Sequence, residues 1–355
     1  MKSLDNKKYR IVVDAMGGDF APINEVHGAI NAAENLKDGT ELEIIFVGNE
    51  NKINTALNQF DFTKLKYSIV NADEVVTMND DPTEALKRKK NSSLYKGIEY
   101  LSQGYADGFI SAGNTGAVLS TATVLLGRIT GVSRPTIGSF FPSQNNHPTL
   151  VLDVGANIDC KPRFLYEFAV MGSIYASQSF GLEHPRIGLL NIGEESSKGT
   201  DIIQQTYKLL KDSQLNFIGN VEGKDILQGT ADVVVCDAFV GNIVLKFAES
   251  VLGILKFKFK QFAKKNILNL FMMAVFTPII KKIFKDFDYQ EHGGVPLLGV
   301  NGVVIIGHGK SSPKAIQNMI YQAVSNIKKD INTKIENILN PSSLSMNIMS
   351  SANLE

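Results

Sequence analysis

The sequence is poor in cysteine, lacks tryptophan and has no excess of charge of either sign. Its two cysteines, Cys160 and Cys236, do not have the spacing of metal ligands. No apolar leader with a small-residue cleavage site precedes the first strand-like segment, so we expect a cytoplasmic protein with both thiols reduced. Lysine plus arginine and aspartate plus glutamate each number 36, and this balance argues against a nucleic-acid partner.

Long hydrophobic runs and familiar cofactor motifs are also missing. No apolar run approaches the ~20 residues that span a bilayer, which predicts a soluble or at most peripheral protein. No G-x-G-x-x-G follows the first strand, and Val304–Ser311 has valine where a phosphate loop begins with glycine. The five histidines show no metal-ligand spacing, and no G-x-S-x-G marks a serine nucleophile. We therefore expect neither a metal nor a dinucleotide.

Short runs of β-branched residues alternate with longer helical patterns, which is typical of a mostly parallel sheet flanked by helices. We predict one large α/β domain over residues 1–340 and a disordered tail over 341–355. The predicted strands are Arg10–Asp14, Leu42–Val47, Lys66–Val70, Asp107–Ile110, Thr149–Asp153, Arg186–Asn191, Asn216–Asn220, Asp232–Cys236 and Gly302–Ile306. The predicted helices are Ile23–Leu36, Ser92–Gln103, Asn114–Leu126, Arg163–Phe180, Thr200–Lys211 and Pro313–Ile327.

Polar, glycine-containing turns follow five of the predicted strands. Because the carboxyl ends of parallel strands share one edge of a sheet, we expect these turns to line a ligand site there. Glycine lets backbone N–H groups approach a ligand, and a helix N-terminus favours an anion. Any one turn is also an ordinary helix cap, so the site is indicated by the five together. They are Asp14–Asp19, Ser111–Gly116, Asp153–Asn157, Asn191–Glu195 and Asp237–Asn242.

These turns and several other motifs, taken in order, resemble the fatty acyl-[acyl carrier protein]:phosphate acyltransferases, the PlsX family of bacterial phospholipid synthesis. The resemblance covers about Ile11 to Ala323, and the ordered set is far more specific than any one motif. One departure is Ala238, where the family pattern has glycine. The matching stretches are Val12–Asp19, Lys89–Ser93, Ser111–Ala117, Asp153–Asn157, Leu190–Glu195 with Lys198 and Gly199, Gly219–Gly223, Phe239–Ile243 with Lys246, and Gly307–Gly309.

The resemblance implies a Rossmann-like α/β/α fold related to phosphate acetyltransferases and isocitrate dehydrogenases, a homodimer and no organic cofactor. It implies transfer of a long-chain fatty acyl group from an acyl carrier protein thioester to inorganic phosphate, giving an acyl phosphate for phospholipid biosynthesis. The implied partners are acyl carrier protein, inorganic phosphate, an anionic membrane surface and the membrane acyl-phosphate:glycerol-3-phosphate acyltransferase. Since phosphate is itself the nucleophile, such a site needs a phosphate cradle, oxyanion donors and positioning rather than an acylated side chain.

The candidate site residues come from the matching stretches. Lys198 is the leading catalytic candidate, as a cation for phosphate or developing charge, although such a lysine is ordinarily a solvated loop residue. Asn242 donates to phosphate or oxyanion unless it only caps a helix, and His308 binds phosphate, protonates the leaving sulfur or is structural. Asp153 and Asn157 are expected to organise the site. The other phosphate- or substrate-binding candidates are Asp14, Gly17, Gly18, Ser111, Asn114, Thr115, Glu195, Asp237 and Gly241, the last through its backbone N–H.

The segment Ser250–Lys285 contains eight lysines and no acidic residue among dense apolar side chains. This composition suits a helical hairpin on anionic lipid, and the alternative is a helical pair at a dimer interface. Pro278 is expected to break or re-aim the second helix. We place a protruding amphipathic insertion at residues 248–288 and favour membrane contact through Leu270, Phe271, Phe276, Lys281 and Lys282.

Two other functions stay open. One is a phosphate acetyltransferase-like activity on short acyl-coenzyme A, which the lysine-rich apolar segment disfavours because a short-chain enzyme does not need that surface. The other is a non-catalytic module that binds lipid surfaces or carrier protein. The polar turns at the strand ends disfavour this second function, since a pure binder needs only the surface segment.

Overall fold

Eleven strands and twelve helices lie in the part of the chain that the computed structural model describes, residues 8–36, 40–283 and 293–340. The strands are β1 Lys8–Asp14, β2 Glu41–Gly48, β3 Lys66–Asn71, β4 Gly108–Ser111, β5 Thr136–Phe141, β6 Thr149–Leu152, β7 Ile187–Leu190, β8 Phe217–Val221, β9 Val233–Val235, β10 Val295–Leu298 and β11 Val303–Ile306. The helices are α1 Ile23–Asn35, α2 Glu50–Leu57, α3 Pro82–Arg88, α4 Ser93–Ser102, α5 Thr115–Leu125, α6 Pro162–Phe180, α7 Asp201–Lys211, α8 Gly223–Gln228, α9 Ala238–Ala263, α10 Ile267–Ile283, α11 Pro313–Lys328 and α12 Ile331–Leu339.

The described strands form one sheet in the order β3-β2-β1-β4-β11-β10-β5-β6-β9-β7-β8. β10 pairs antiparallel with both β11 and β5, and β5 pairs antiparallel with β6. The other pairings between described strands are parallel. As a result β6, β9, β7 and β8 run opposite to β3, β2, β1, β4 and β11. The predicted mostly parallel sheet is confirmed, with a reversal of direction at its centre.

This reversal divides the five polar turns between the two edges of the sheet. The turns after β1 and β4 lie at one edge, where the turn after β11 joins them. The turns after β6, β7 and β9 lie at the opposite edge. Our expectation that all five share one edge is wrong, because it assumed that the strands run in the same direction throughout.

The nine predicted strands are all present within two residues of their predicted ends, and the six predicted helices within one. Pro162 is the first residue of α6, where its missing N–H costs no helical hydrogen bond. The two central antiparallel strands, β5 and β10, were not predicted. Gly138 in β5 and Pro296 in β10 weaken the strand pattern, since both residue types are unfavourable in strand interiors.

Helices cover both faces of the sheet, which confirms the predicted α/β/α layering. On one face, apolar side chains of α4 and α5 pack against one half of the sheet, and those of α8 and α9 pack against the other half. The opposite face is covered by α1, α2 and α11 over the first half and by α6, α7 and α12 over the second. α5 and α9 therefore flank the central strands on the same face.

α9 and α10 form the predicted helical pair, but α9 begins at Ala238, well before Ser250. Its first turns pack on the sheet through Val244, Leu245 and Ala248, and most later side chains of both helices are exposed. By length and composition, α9 is the described helix that is able to cross a bilayer, with a mean hydropathy of 1.6 over 18 residues. Lysines interrupt the apolar residues of α9, so the sequence contains no uninterrupted apolar run of that length.

Pro278 lies inside α10, which continues to Ile283, so it does not break the helix. The alternative, that it re-aims the helix, stays a prediction. Proline removes one helical N–H donor, and Thr277 Oγ1 donates to Met273 O at 2.5 Å beside it. Among the membrane-contact candidates, Leu270, Phe271, Phe276 and Lys282 are exposed. The side chain of Lys281, the end of the predicted insertion and the predicted tail lie outside the described residues.

Candidate active site

A cavity of about 530 Å³ lies between α5 and α9, over the central strands where the sheet reverses direction. The turns after β1, β4 and β11 form one wall, and the turn after β6 with the first turns of α9 forms the facing wall. The lining residues are Asp19, Met78, Gly113, Thr115, Ile137, Ser139, Phe140, Val154, Gly155, Asn242, Leu245, Lys246, Glu249, Gly293, Gly294, Val295, Ile306, Gly307, His308 and Gly309.

Asp14 and Ser111 hold the turn after β4 from behind the cavity. Asp14 is 2% exposed and accepts a hydrogen bond from Ser111 Oγ at 2.7 Å. Ser111 Oγ accepts in turn from the N–H of Gly113, which lines the cavity, at 3.0 Å. Burial raises the pKa of Asp14, while hydrogen bonds from Ser93 and Ser111 oppose the rise. A Cβ on Gly17 would lie 2.5 Å from Asp14 Oδ2, so this close turn requires glycine.

Asn114 caps α5 and fastens a neighbouring loop. Its Oδ1 accepts from a first-turn N–H of α5, and its Nδ2 donates to the carbonyl of Asp80 at 3.0 Å. Lys89 Nζ holds the Asp80 carboxylate at 2.7 Å. The loop so fixed carries Met78 into the cavity wall beside Thr115. The side chain of Asn114 is therefore committed to structure, and Thr115 is the residue of this pair that reaches the cavity.

His308 lies on the turn after β11 and is exposed at the cavity. The backbone N–H of Lys310 donates to His308 Nδ1 at 3.1 Å, so the neutral ring carries its proton on Nε2. The carbonyl of Gly309 accepts from the N–H of Asp19 at 2.8 Å, which joins the turns after β11 and β1. His308 thus presents an Nε2 donor from a fixed turn.

Asp153 organises the facing wall. It is fully buried and accepts from the N–H of Gly155 at 3.0 Å, and from the N–H and Nδ2 of Asn157 at 2.9 and 2.7 Å. Asn157 Nδ2 also donates to the carbonyl of Pro135 at 2.7 Å. Burial raises the pKa of Asp153, and these hydrogen bonds oppose the rise. The turn that results places Val154 and Gly155 in the cavity wall.

The start of α9 packs directly on this turn. Asp237 caps the helix through its side chain, and the N–H of Ala238 donates to the carbonyl of Asn157 at 2.8 Å. Ala238 opens the helix, a conformation that needs no glycine. The N–H of Gly241 is bonded to the carbonyl of Asp237 at 2.9 Å, and a Cβ on Gly241 would lie 1.9 Å from the carbonyl oxygen of Asp153. Gly241 therefore allows α9 to lie close to the turn after β6, and its N–H is not a donor for the ligand.

Asn242, Lys246 and Glu249 occupy one face of α9 and reach the cavity together. Their spacing of four and three residues places them in adjacent turns. Lys246 Nζ pairs with Glu249 Oε2 at 2.9 Å, and the two side chains are 60% and 41% exposed. Asn242 is exposed and has no side-chain hydrogen bond to another described residue. The amide of Asn242 is therefore available to an anionic ligand, and the exposed ammonium of Lys246 would bind such a ligand in competition with Glu249.

Lys198 and Glu195 lie outside the cavity, in the loop after β7. The carbonyls of Lys198 and Glu195 accept from Asn191 Nδ2 at 3.1 Å and Asn220 Nδ2 at 2.9 Å, and both charged side chains are exposed. β9 separates β7 from β6, which places β7 ~10 Å from β6 on the side away from the cavity. The catalytic role of Lys198 stays a prediction.

Glu25 is a buried acid behind the cavity that sequence reasoning missed. It is 1% exposed, and its Oε2 has no hydrogen-bond partner. Burial raises its pKa to about 8, and the nearby charge of Asp14 adds to the rise. A Cβ on Gly18 would lie 2.3 Å from Glu25 Oε1, so a larger residue there would require the Glu25 carboxyl group to move. An acidic residue at the start of a helix is usually exposed to solvent. The sequence feature that indicates burial here is the spacing of four residues between Glu25 and Ala29, which places both on the same face of α1.

Neither cysteine has the environment of a reactive thiol. Both are buried. Burial raises the pKa of Cys160 to about 12 and that of Cys236 well above its ordinary value, and the charge of Asp153 adds to both shifts. Within the described ranges, no group of three His, Cys, Asp or Glu side chains is arranged to hold a metal ion.

The predicted site residues thus fall into three groups. Thr115, Asn242 and His308 line the cavity. A larger set forms the turns that shape it: Asp14, Gly17, Gly18, Ser111, Asn114, Asp153, Asn157, Asp237 and Gly241. Lys198 and Glu195 lie elsewhere. Lys246 was not among the candidate site residues although it matched the family pattern, and its position one turn after Asn242 in α9 brings it to the cavity.

Comparison with known proteins gives consistent relationships. A family model described as fatty acid synthesis protein matches residues 9–334. A phosphate acyltransferase of Dictyoglomus turgidum is 45% identical over 332 residues, which cover 93% of this chain and 98% of that protein. A phosphate acyltransferase of Nitratiruptor sp. is 46% identical over 327 residues, covering 92% of this chain and 96% of that protein.

Solved structures with the same architecture have much lower sequence identity. The EutD phosphotransacetylase from Staphylococcus aureus superposes with a TM-score of 0.57 at 18% identity, covering 91% of this chain and 95% of that chain. A branched-chain phosphotransacylase from Enterococcus faecalis gives a TM-score of 0.55 at 15% identity, covering 90% and 99%. At these identities the likeness establishes the fold alone, and it confirms the expectation that the chain has the fold of the phosphate acetyltransferases.

Proposed function

The chain belongs to the phosphate acyltransferase family of fatty acid and phospholipid synthesis, and we propose that it transfers a fatty acyl group from an acyl carrier protein thioester to inorganic phosphate. The observation that carries this proposal is a cavity whose lining combines an anion-binding set with apolar side chains. Asn242, Lys246 and His308 suit phosphate, while Phe140 and Leu245 suit an acyl chain.

The reaction needs no acylated residue. A phosphate oxygen attacks the thioester carbonyl carbon, the C–S bond breaks, and the sulfur leaves with the bonding electrons and takes up a proton. The products are an acyl phosphate and a free carrier thiol. The buried, high-pKa thiols of Cys160 and Cys236 support this direct route, since neither supplies a thiolate nucleophile.

The cavity residues divide the remaining work. The ammonium of Lys246 attracts phosphate, and the amide N–H of Asn242 donates to phosphate or to the oxyanion that forms at the carbonyl. The Nε2–H of His308 is a further hydrogen-bond donor to phosphate, and only the protonated imidazolium form of the ring would give a proton to the leaving sulfur. Since a thiol has a pKa of ~8.5, its thiolate leaves readily and positioning matters more than strong acid catalysis.

The purified protein should convert palmitoyl-acyl carrier protein and labelled phosphate to labelled palmitoyl phosphate, measured as the label that is extracted into organic solvent. Acetyl-coenzyme A is the matched substrate for the short-chain alternative. Faster turnover of acetyl-coenzyme A would favour phosphate acetyltransferase activity, and carrier binding without any product would leave only a binding module. Intact-mass detection of an acylated enzyme during turnover would contradict direct attack by phosphate.

We further propose that the protein is cytoplasmic and binds anionic membranes reversibly through α9 and α10. The support is an exposed apolar surface, on which Ile267, Leu268 and Phe271 are 85%, 64% and 67% exposed, flanked by exposed Lys264 and Lys265. Lysines near an anionic surface each contribute ~1 kcal/mol, and apolar burial adds ~25 cal/mol per Å². In that position the product would be released beside the membrane acyl-phosphate:glycerol-3-phosphate acyltransferase.

Vesicle flotation separates the membrane proposal from a homodimer that covers the same surface. Leu270→Ser with Phe271→Ser should abolish binding to phosphatidylglycerol vesicles at every salt concentration, because apolar burial is not screened. Lys264→Glu with Lys265→Glu should weaken binding chiefly at low salt, since the Debye length falls to ~3 Å at 1 M. If the apolar variant instead becomes monomeric and still floats with vesicles, the surface is a dimer interface.

A further inference from the structure

Three of the chain's six arginines line one open depression beside the cavity. The other three, Arg10, Arg88 and Arg186, lie apart from one another, and each pairs with a carboxylate of its own. We call the surface the arginine depression. It is lined by Thr123, Arg128, Gly131, Val132, Ser133, Arg134, Pro135, Arg163 and Phe164, and none of these residues is acidic.

The arginine depression keeps an uncompensated positive charge. One carboxylate beside it, Glu167, is buried and already accepts from Arg163 Nε at 2.8 Å and from the N–H and Oγ of Ser133 at 2.7 and 2.8 Å. Arg128 and Arg134 are exposed, and neither pairs with a carboxylate among the described residues. Two guanidinium groups are therefore directed to solvent without a partner of opposite charge.

Contacts within the protein hold the loop that carries Arg128 and Arg134 in place before any partner binds. Arg128 Nη1 donates to the carbonyl of Ser133, and the guanidinium of Arg134 lies 5.9 Å from the centre of the Phe164 ring. Gly131 has a φ of +89°, and a Cβ there would meet the carbonyl at the end of α12 at 2.0 Å. A side chain held in place loses little entropy when a partner binds, which favours recognition.

The arginine depression and the cavity share two elements. Thr123 lines the depression and Thr115 lines the cavity, and eight residues of α5 separate them, which is about 12 Å at the helical rise. Pro135, directly before β5, lines the depression, and Ile137 in β5 lines the cavity, about 7 Å further along the extended chain. A partner held at the depression can therefore reach the cavity with a flexible arm.

We propose that the arginine depression is the docking surface for the acyl carrier protein, which it binds through an acidic face of the carrier. The inference rests on the proposed function, because that function makes the carrier the source of the thioester. Guanidinium groups bind carboxylates through paired hydrogen bonds, so Arg128 and Arg134 suit an acidic protein surface. The proximity of the depression lets the docked carrier deliver its thioester arm to the cavity.

Charge reversal at Arg134 and Arg128 tests the docking surface. In Arg134→Glu and Arg128→Glu, we expect the KM for palmitoyl-acyl carrier protein and its Kd by titration to rise about tenfold or more, with kcat unchanged. Kinetics with palmitoyl-pantetheine, which lacks the carrier, should stay the same. Arg88→Glu is the control, since it makes the same charge change on an 81% exposed side chain of α3 that does not line the depression.

The outcomes distinguish this proposal from its alternatives. Equal carrier affinity in Arg134→Glu, Arg128→Glu and Arg88→Glu would overturn the docking surface, while product formation would still uphold the proposed function. Loss of vesicle flotation with unchanged carrier affinity would make the depression a membrane contact and overturn it too. If the arginine variants lose as much activity with palmitoyl-pantetheine as with the carrier substrate, the arginines support the structure of the catalytic site, and the docking proposal is overturned. A wild-type protein that binds carrier but forms no acyl phosphate would refute the proposed function alone.

Discussion

Replacing Lys246 with methionine removes the one lysine among the described residues that line the cavity. Methionine keeps the length and helix propensity of the side chain, so the change is chiefly one of charge. Lys246 is 60% exposed, and its pair with Glu249 is of the exposed kind, which contributes ~0–1 kcal/mol. The free energy of unfolding should therefore fall by less than ~1 kcal/mol.

The effect on catalysis should be much larger. When phosphate and thioester fill the cavity they displace water, and the loss of one charge-stabilising group in such a site costs roughly 10²–10³ in rate, or ~3–4 kcal/mol. Glu249 acts in the opposite direction, because its carboxylate competes with phosphate for the Lys246 ammonium. For a phosphate ~6 Å from Glu249 in water, Coulomb repulsion is ~0.7 kcal/mol. Glu249→Gln should thus lower the KM for phosphate roughly threefold.

The assay is kcat/KM for phosphate with a water-soluble short-chain thioester, which separates chemistry from membrane and carrier binding. Lys256→Met is the matched control, because Lys256 is an exposed lysine further along α9 and outside the cavity. Lys198→Ala is measured beside it. If Lys246→Met stays within about threefold of the wild type while Lys198→Ala loses about a hundredfold, Lys198 supplies the catalytic charge and our assignment of Lys246 is refuted.

Two further predictions concern the frame of the cavity. Glu25 has its folded-state pKa raised to about 8, above the unfolded value, so the folded protein binds more protons between those values and loses stability as pH rises towards 8. That decline in the free energy of unfolding is at most ~1.4 kcal/mol per pH unit, and Glu25→Gln should flatten it. Urea unfolding of both proteins at pH 6 and 8.5 measures the difference, and parallel pH profiles would contradict the prediction. Gly241→Ala places a Cβ 1.9 Å from the Asp153 carbonyl and should destabilise by ~1–3 kcal/mol with loss of activity. Gly253→Ala in the same helix is the control: its Cβ would meet no atom within 4 Å, and it should stabilise the protein by ~0.5–1 kcal/mol. Equal shifts in Tm for the two variants would show that the Gly241 contact is unimportant.

Local sequence patterns were enough to predict most of the strands, helices and turns. The strands of the two parallel halves have continuous apolar runs because helices cover both of their faces, and that property belongs to each segment separately. The start of α5 followed from Asn114, whose side chain caps the helix that it precedes. Asp237 caps α9 in the same way, but the sequence analysis placed the helical segment further along the chain. The polar turns and their order along the chain were visible for the same reason, and they carried the resemblance to the family.

Tertiary structure decided where those turns meet. The sheet reverses at β5 and β10, two strands whose glycine and proline obscure their pattern, and the reversal sends the turns to opposite edges with the cavity between them. No local rule gives the direction of a strand relative to one that is distant in sequence. The same reversal leaves Lys198 beyond β6 and brings Lys246 into the cavity.

Burial was likewise a tertiary property. Glu25 has the sequence context of a solvated acid, and its raised pKa comes from the sheet turns that close over it. Three arginines separated by up to 35 positions converge because the loop after α5 packs beside the start of α6. Sequence alone determined which segments form strands, helices and turns, since those depend on neighbouring residues. The charges that share the cavity and the arginine depression were decided by packing between distant segments.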